Sequence, residues 1–127
     1  MYAVEMRNIT KRFHGTPANH HVNFCVKAGE IHSLLGENGA GKTTLMNILF
    51  GLYKADSGTI RIHEKETKID SPMAAIQQGI SMVHQHFMLV DSLTVAENIV
   101  LGHEPKKGIF FDREKAFEKI TEIAEKY

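Results

Sequence analysis

The chain has 127 residues, room for one small domain or for part of a larger one. Its 43% hydrophobic and 24% charged residues are ordinary for a globular chain, and a formal net charge of zero gives no support for a nucleic-acid partner. No apolar run reaches the about 18 residues of a membrane-spanning helix, and Met1-Tyr2-Ala3-Val4-Glu5-Met6-Arg7 holds no apolar signal core. The single Cys25 cannot form an internal disulfide, so a reducing, cytoplasmic setting is expected.

In chain order, residues 3–13 predict a strand in which Val4 and Met6 alternate with Glu5 and Arg7. Phe13 ends it. Taken alone, Phe13 reads first as a core residue, although a ring there could also stack on a purine base. His14-Gly15-Thr16-Pro17 is rich in turn formers. Residues 21–27 predict a second strand, with Val22, Phe24 and Val26 on one face and Asn23, Cys25 and Lys27 on the other. Two such strands predict an antiparallel sheet beside the next motif.

Glu30-Ile31-His32-Ser33-Leu34-Leu35 reads as a buried strand that enters a loop. The loop is Gly36-Glu37-Asn38-Gly39-Ala40-Gly41-Lys42-Thr43-Thr44, which fits G-x-x-x-x-G-K-[S/T], the phosphate-binding P-loop. Gly39 and Gly41 let the backbone turn tightly and bring N–H groups to a phosphate. Lys42 supplies positive charge for the β- and γ-phosphates, and the Thr43 hydroxyl can ligate Mg²⁺. Thr44 to Phe50 reads as the following helix, whose N-terminus adds partial positive charge.

Gly51 is a predicted helix cap. Asp56-Ser57-Gly58 is a turn. Thr59–Ile62 and Thr67–Ile69 predict a hairpin with its tip at Glu64-Lys65-Glu66. Ser71-Pro72 starts a short helix, Met73 to Gln78, that stops at Gly79. Ile80 to Gln85 reads as a second buried strand, with Gln85 at its carboxyl end. Gln85 could reach a Mg²⁺ or a water on it, or simply cap a loop. The loop His86-Phe87-Met88-Leu89-Val90 is unusually apolar. Thr94-Val95-Ala96-Glu97 is a capping box opening a helix that Gly102 ends. His103 to Gly108 reads as a linker. Asp112 caps a last helix, Arg113 to Tyr127, with Ala116, Phe117, Ile120, Ile123, Ala124 and Tyr127 at helical spacing. The eight histidines are scattered; His84 and His86 share a strand face, but a zinc site needs three or four convergent ligands and no third is evident.

Several stretches occur together in a fixed order: Ile9-Thr10-Lys11-Arg12-Phe13, the P-loop, Asp56-Ser57-Gly58-Thr59-Ile60, Val83-His84-Gln85 and Leu93-Thr94-Val95-Ala96-Glu97-Asn98-Ile99. By these the whole chain resembles the ATP-binding subunit of ATP-binding-cassette (ABC) transporters. The wording around His84 to Val90 and Ala96 to Gly102 looks most like the branch serving simple sugars and nucleosides. The resemblance implies an α/β P-loop NTPase fold of the ABC ATPase type, present in part. It would comprise an antiparallel β subdomain and part of a RecA-like core over residues 1–85, then the Q-loop and the start of a helical subdomain over residues 86–127.

The resemblance also implies roles. Phe13 would be the base-stacking aromatic. Gly36, Glu37, Asn38, Gly39, Ala40, Gly41, Lys42, Thr43 and Thr44 would hold ATP. Thr43 and Gln85 would serve Mg²⁺, and Lys42 and Gln85 would act in catalysis. Implied partners are integral membrane permease subunits, a second ATP-binding cassette and, indirectly, an extracellular substrate-binding protein, at the cytoplasmic face of the membrane. The signature motif, the Walker B carboxylates and the switch histidine of the family are not found in these residues. The expected activity is therefore ATP binding here and ATP-driven import of a nucleoside or simple sugar in a longer protein. A soluble ABC-type ATPase of translation or repair, and a nucleotide-binding fragment without turnover, are the alternatives. The apolar Phe87 to Val90 segment favours the transporter, because that region meets the membrane partner in the resembled family. A chain of this extent is expected to be marginally stable, to self-associate and to expose an apolar patch.

Overall fold

The computed structural model describes residues 1–84, 89–102, 105–107 and 110–126. It divides into two units, Met1–Val83 and His84–Tyr127.

In the first unit, β1 (Tyr2–Phe13) and β2 (Thr16–Lys27) form a long antiparallel hairpin. His14 and Gly15 turn it with φ of 50° and 85°. Two consecutive positive φ values fit the two-residue turn that matches strand twist. β2 is longer than the expected 21–27 and includes Pro17. It is the outer strand of a sheet ordered β2-β1-β3-β4, where a missing N–H is tolerated. Here β3 is Ser57–Ile62 and β4 is Lys65–Glu66. The β3–β4 turn falls at His63 and Glu64, with φ of 47° and 67°, earlier than the expected tip. Arg61 pairs with Glu66, and the Thr67 N–H continues the pairing to the Ile60 carbonyl at 2.9 Å.

The pairing of β1 is irregular between Met6 and Ile9, and Asn8 has φ 52°. This bulge resets the alternation. Met6 and Ile9, three residues apart, are therefore both fully buried. They pack with Ile60, Ile62 and Ile69 against Leu45 and Ile48 of α1 (Lys42–Leu49) and Ala75 of α2 (Pro72–Gln77). Glu5 is also buried; its carboxylate accepts from Arg7 at 2.6 Å and pairs with Arg61 at 3.5 Å, and the Arg7 contact above all holds its carboxyl below the usual range.

Both helices stop at a left-handed glycine. After α1, the Gly51 N–H donates to the Ile48 carbonyl and the Leu52 N–H to the Asn47 carbonyl; after α2, Gly79 and Ile80 donate to Ile76 and Ala75 in the same pattern. These are Schellman closures. At the other end of α2, the Ser71 hydroxyl accepts from the Ala74 N–H.

Two expectations fail here. Residues 30–35 and 80–84 are not strands. Ile31 is 100% exposed, Leu35 88% and Val83 83%. Apolar runs of this kind become strands when a parallel neighbour takes up their N–H and C=O groups. Every strand pair among the described residues is antiparallel, and none includes these segments. Leu34 and Ile80 of these segments pack against the core, while Ile31, Leu35 and Val83 stay exposed.

In the second unit, α3 (Val95–Val100) opens with the capping box foreseen at Thr94 and Glu97. A short hairpin, β5 (Lys106–Lys107) and β6 (Phe110–Phe111), replaces part of the expected linker. α4 (Arg113–Lys126) follows, with the Asp112 side chain accepting from the Lys115 N–H at 3.1 Å. Ala96, Val100 and Ala116 are buried, while Phe117 and Ile123 remain about half exposed. Tyr127 lies outside the described residues, as do His86, Phe87 and Met88. Leu89 and Val90 are described and exposed.

Glu97 ties α3 to α4. It accepts from Arg113 at 2.8 Å and from the Thr94 N–H and hydroxyl at 2.8 Å. The Arg113 guanidinium first, and the Thr94 donors after it, lower its carboxyl from 4.5 to about 2. A depressed carboxyl stabilises the fold above its unfolded value and loses that contribution as pH falls through the folded value. Urea unfolding at pH 7 should therefore show Glu97→Gln less stable than wild type. The difference should shrink as the pH is lowered from about 4.5 towards about 2. A gap that does not change with pH would contradict this account.

Candidate phosphate-binding loop

The loop is built against β2. Gly41 has φ 84° and ψ 5° and is the residue from which α1 starts. A Cβ built on it would stand 2.2 Å from the Ala18 carbonyl oxygen and 2.7 Å from Asn19 Nδ2. Both the handedness and the space thus require glycine. Asn19 is 5% exposed, and its Nδ2 donates to the Gly41 carbonyl at 3.2 Å. The same oxygen accepts the Leu45 N–H at 2.9 Å, which is the first bond of the helix. Among the described residues, Asn19 Oδ1 has no hydrogen-bond partner. Gly39 shares the left-handed conformation, φ 84°, but a Cβ there would meet only open space.

Among the described residues, no side chain caps α1. The N–H groups of its first turn, Lys42 to Thr44, have no helical acceptor by construction. They point out of the helix start as a ready anion site. Lys42 folds back over the loop; its Nζ donates to the Gly36 carbonyl at 2.6 Å and to the Glu37 carbonyl at 2.8 Å. An ammonium has three donors. Two hold it in the curl, and one is left for a phosphate oxygen. The Ala40 N–H closes the turn onto the Glu37 carbonyl at 3.2 Å. Thr43 is exposed and Thr44 half-buried. This donor set fits a nucleotide phosphate. Its hydroxyl fits a Mg²⁺ that takes its other ligands from phosphates and water. Among the described residues no cluster of His, Cys, Asp and Glu could hold a metal by itself.

Phe13 is not in the core. It is 38% exposed at the end of β1, opposite Thr16, while Lys11 two residues earlier lies opposite Asn19. Its ring meets Tyr53 edge-on, centroids 5.3 Å apart at 73°, and Lys11 Nζ stands 5.5 Å from its centre. Asp56 holds that end of the strand. Its carboxylate accepts from the Arg12 N–H at 2.7 Å and from Lys11 at 3.0 Å, and its own N–H donates to the Thr10 carbonyl at 2.8 Å. The Arg12 N–H, then Lys11, keeps the Asp56 carboxyl below its ordinary range. Gln85 lies outside the described residues. Asn19 and Tyr53 have no role in the sequence reading, and Asp56 enters it as a turn former at the start of one stretch that carries the family resemblance. Asn19 carries no local signal, since its role depends on a loop 22 residues away. A separate cavity of about 470 Å³, lined by Ile48, Lys54, Gly58, Ile60, Glu66 and Ile69 among others, touches no residue of the loop.

The family model described as ABC transporter matches residues 19–127. The guanosine import ATP-binding protein NupO of Bacillus subtilis (strain 168) is 56% identical over 126 residues, 99% of this chain and 25% of that protein. The nucleoside import ATP-binding protein NupA of Lactococcus lactis subsp. cremoris (strain MG1363) is 55% identical over 98% of this chain and 24% of its own length. The galactose/methyl galactoside import ATP-binding protein MglA of Escherichia coli O157:H7 is 47% identical over 96% and 24%. The chain thus spans about a quarter of the length of these curated relatives. Among solved structures, MJ1267, an ATP-binding cassette of an ABC transporter, superposes with TM-score 0.81 at 29% identity, over 98% of this chain and 53% of that one. A nucleotide-free ATP-binding cassette from an ABC transporter gives 0.74 at 27% identity, over 94% and 46%.

The two left-handed glycines separate two costs. Gly39→Ala should cost only the conformational penalty, about 1–2 kcal/mol. Gly41→Ala adds a clash with the Ala18 backbone and should cost clearly more, because a main-chain neighbour cannot swing aside. Thermal unfolding of the two variants side by side checks the order. Equal losses would mean that the β2 contact does not constrain the loop.

Proposed function

We propose that this chain, which belongs to the ABC transporter family, binds ATP with Mg²⁺ on the loop Gly36 to Thr44. The observation that carries the reading is the uncapped start of α1 with Lys42 folded over the loop carbonyls. In this reading Gly36, Glu37, Asn38, Gly39, Ala40 and Gly41 wrap the phosphates with main-chain N–H groups. Lys42 gives its third donor to the β- and γ-phosphates. The Lys42 to Thr44 N–H groups add the partial charge of the helix start, Thr43 takes the Mg²⁺, and Phe13 stacks on the base. Gln85 would supply a further Mg²⁺ or water contact. Residues 1–85 would act as the nucleotide-binding core and β subdomain, and residues 86–127 as the Q-loop and the start of a helical subdomain.

In a longer protein, ATP hydrolysis would drive import of a nucleoside or simple sugar. The names of the relatives support import over a soluble role in translation or repair. Permease subunits in the membrane, a second cassette and, indirectly, an extracellular substrate-binding protein are the partners this implies, at the cytoplasmic face. The exposed Leu89 and Val90 offer apolar contact area for such a partner. No helix among the described residues is long and apolar enough to cross a membrane.

Calorimetry with Mg·ATP tests the binding step. Lys42→Ala should weaken affinity by about 1.5–3 kcal/mol, the worth of a charge-assisted contact. Equal affinity of variant and wild type would refute phosphate binding at this loop.

A further inference from the structure

The segment that follows α1 connects the phosphate loop to Phe13 through contacts that nucleotide binding does not itself require. The Asn47 carbonyl, in the last turn of α1, accepts both the Leu52 N–H at 2.8 Å and the Tyr53 N–H at 3.2 Å. Tyr53 is thereby fixed to the helix that the phosphate loop starts. Three residues on, Asp56 binds the Thr10 carbonyl, the Arg12 N–H and the Lys11 ammonium, which fastens the same segment to the end of β1. Between these two anchors the Tyr53 and Phe13 rings meet edge to face at 5.3 Å. Edge-to-face rings attract through their quadrupoles and restrict each other's rotation. Phe13 is 38% exposed at a hairpin end, and Lys11 Nζ stands 5.5 Å from its ring centre.

We propose that Tyr53 is a positioning residue for the nucleotide base: it acts through Phe13, holding that ring at a set orientation relative to the phosphate loop. The inference rests on the nucleotide reading above and deepens it. Its chemistry is specific to a ligand that carries a planar base. A ligand with phosphates alone touches the loop and has nothing to stack, so it is indifferent to Tyr53.

The test uses calorimetry of the purified chain with Mg·ATP and with inorganic tripolyphosphate. Tyr53→Ala should weaken ATP roughly two- to tenfold, the range of one aromatic pair. It should leave tripolyphosphate unchanged, which also reports that the loop is folded. Tyr53→Phe keeps the ring and should bind ATP as the wild type does. In a Phe13→Ala background, Tyr53→Ala should have no further effect, because the residue it acts through is gone. Unchanged ATP binding in Tyr53→Ala overturns the proposal. So does equal weakening of both ligands, or a Tyr53 effect that persists in full without Phe13. Failure of the underlying reading looks different: the wild type would then bind neither ligand, or Lys42→Ala would bind both as the wild type does.

Discussion

The close approach of Gly41 to β2 is the constraint on which the rest of the site depends. The Gly41 backbone lies where any Cβ would meet the Ala18 carbonyl at 2.2 Å, and its own carbonyl is shared by Asn19 and by the first helical N–H. A left-handed residue at this point turns the chain from loop into helix. It also decides which way the first-turn N–H groups and Lys42 face. The antiparallel hairpin is therefore one wall of the loop as well as a neighbour of it. The buried Met6 and Ile9 on the same hairpin press it against α1 through Leu45 and Ile48. The core and the phosphate cradle share the same elements.

The route from the loop to Phe13, the proposed base platform, is short and mostly main-chain. α1 leads to the Gly51 closure, then to Tyr53 and Asp56, and these return to Phe13 and Lys11 at the end of β1. The links are hydrogen bonds to backbone, the Lys11–Asp56 side-chain pair and a ring contact, so most of them have little side-chain freedom to lose on binding. Such a frame suits a ligand with two recognised ends, because the separation of the ends is built in before binding. The relatives' import functions belong to proteins about four times as long. The part carried by this chain holds the loop proposed to bind the nucleotide.

The exposed run at Ile31 and Leu35 contrasts with that order. It leads directly into the loop, yet it makes no strand pair. The loop keeps its curl all the same, since its shape comes from the Lys42 bonds, the Glu37–Ala40 turn and the Gly41 contact with β2. A parallel strand has no such local source of order. Its N–H and C=O groups are satisfied only by neighbours distant in sequence.

By itself the sequence determined the features whose causes are local. These are the P-loop and its glycines, the helix behind it, the Ser71 and Thr94 caps, the Gly51 and Gly79 stops, and the presence of strands at β1 and β2. Caps, turns and glycine stops depend on residues within a few positions of each other, so spacing alone reveals them. The tertiary structure decided what depends on distant partners. It moved the β3–β4 turn to His63 and Glu64, buried Glu5 between two arginines, and put Phe13 on the surface against Tyr53. It also brought Asn19 under Gly41 and left residues 30–35 and 80–84 outside every strand pair among the described residues. Apolar patterning states that a segment prefers burial; whether a neighbour is there to cover it and to complete its hydrogen bonds is a property of the folded whole.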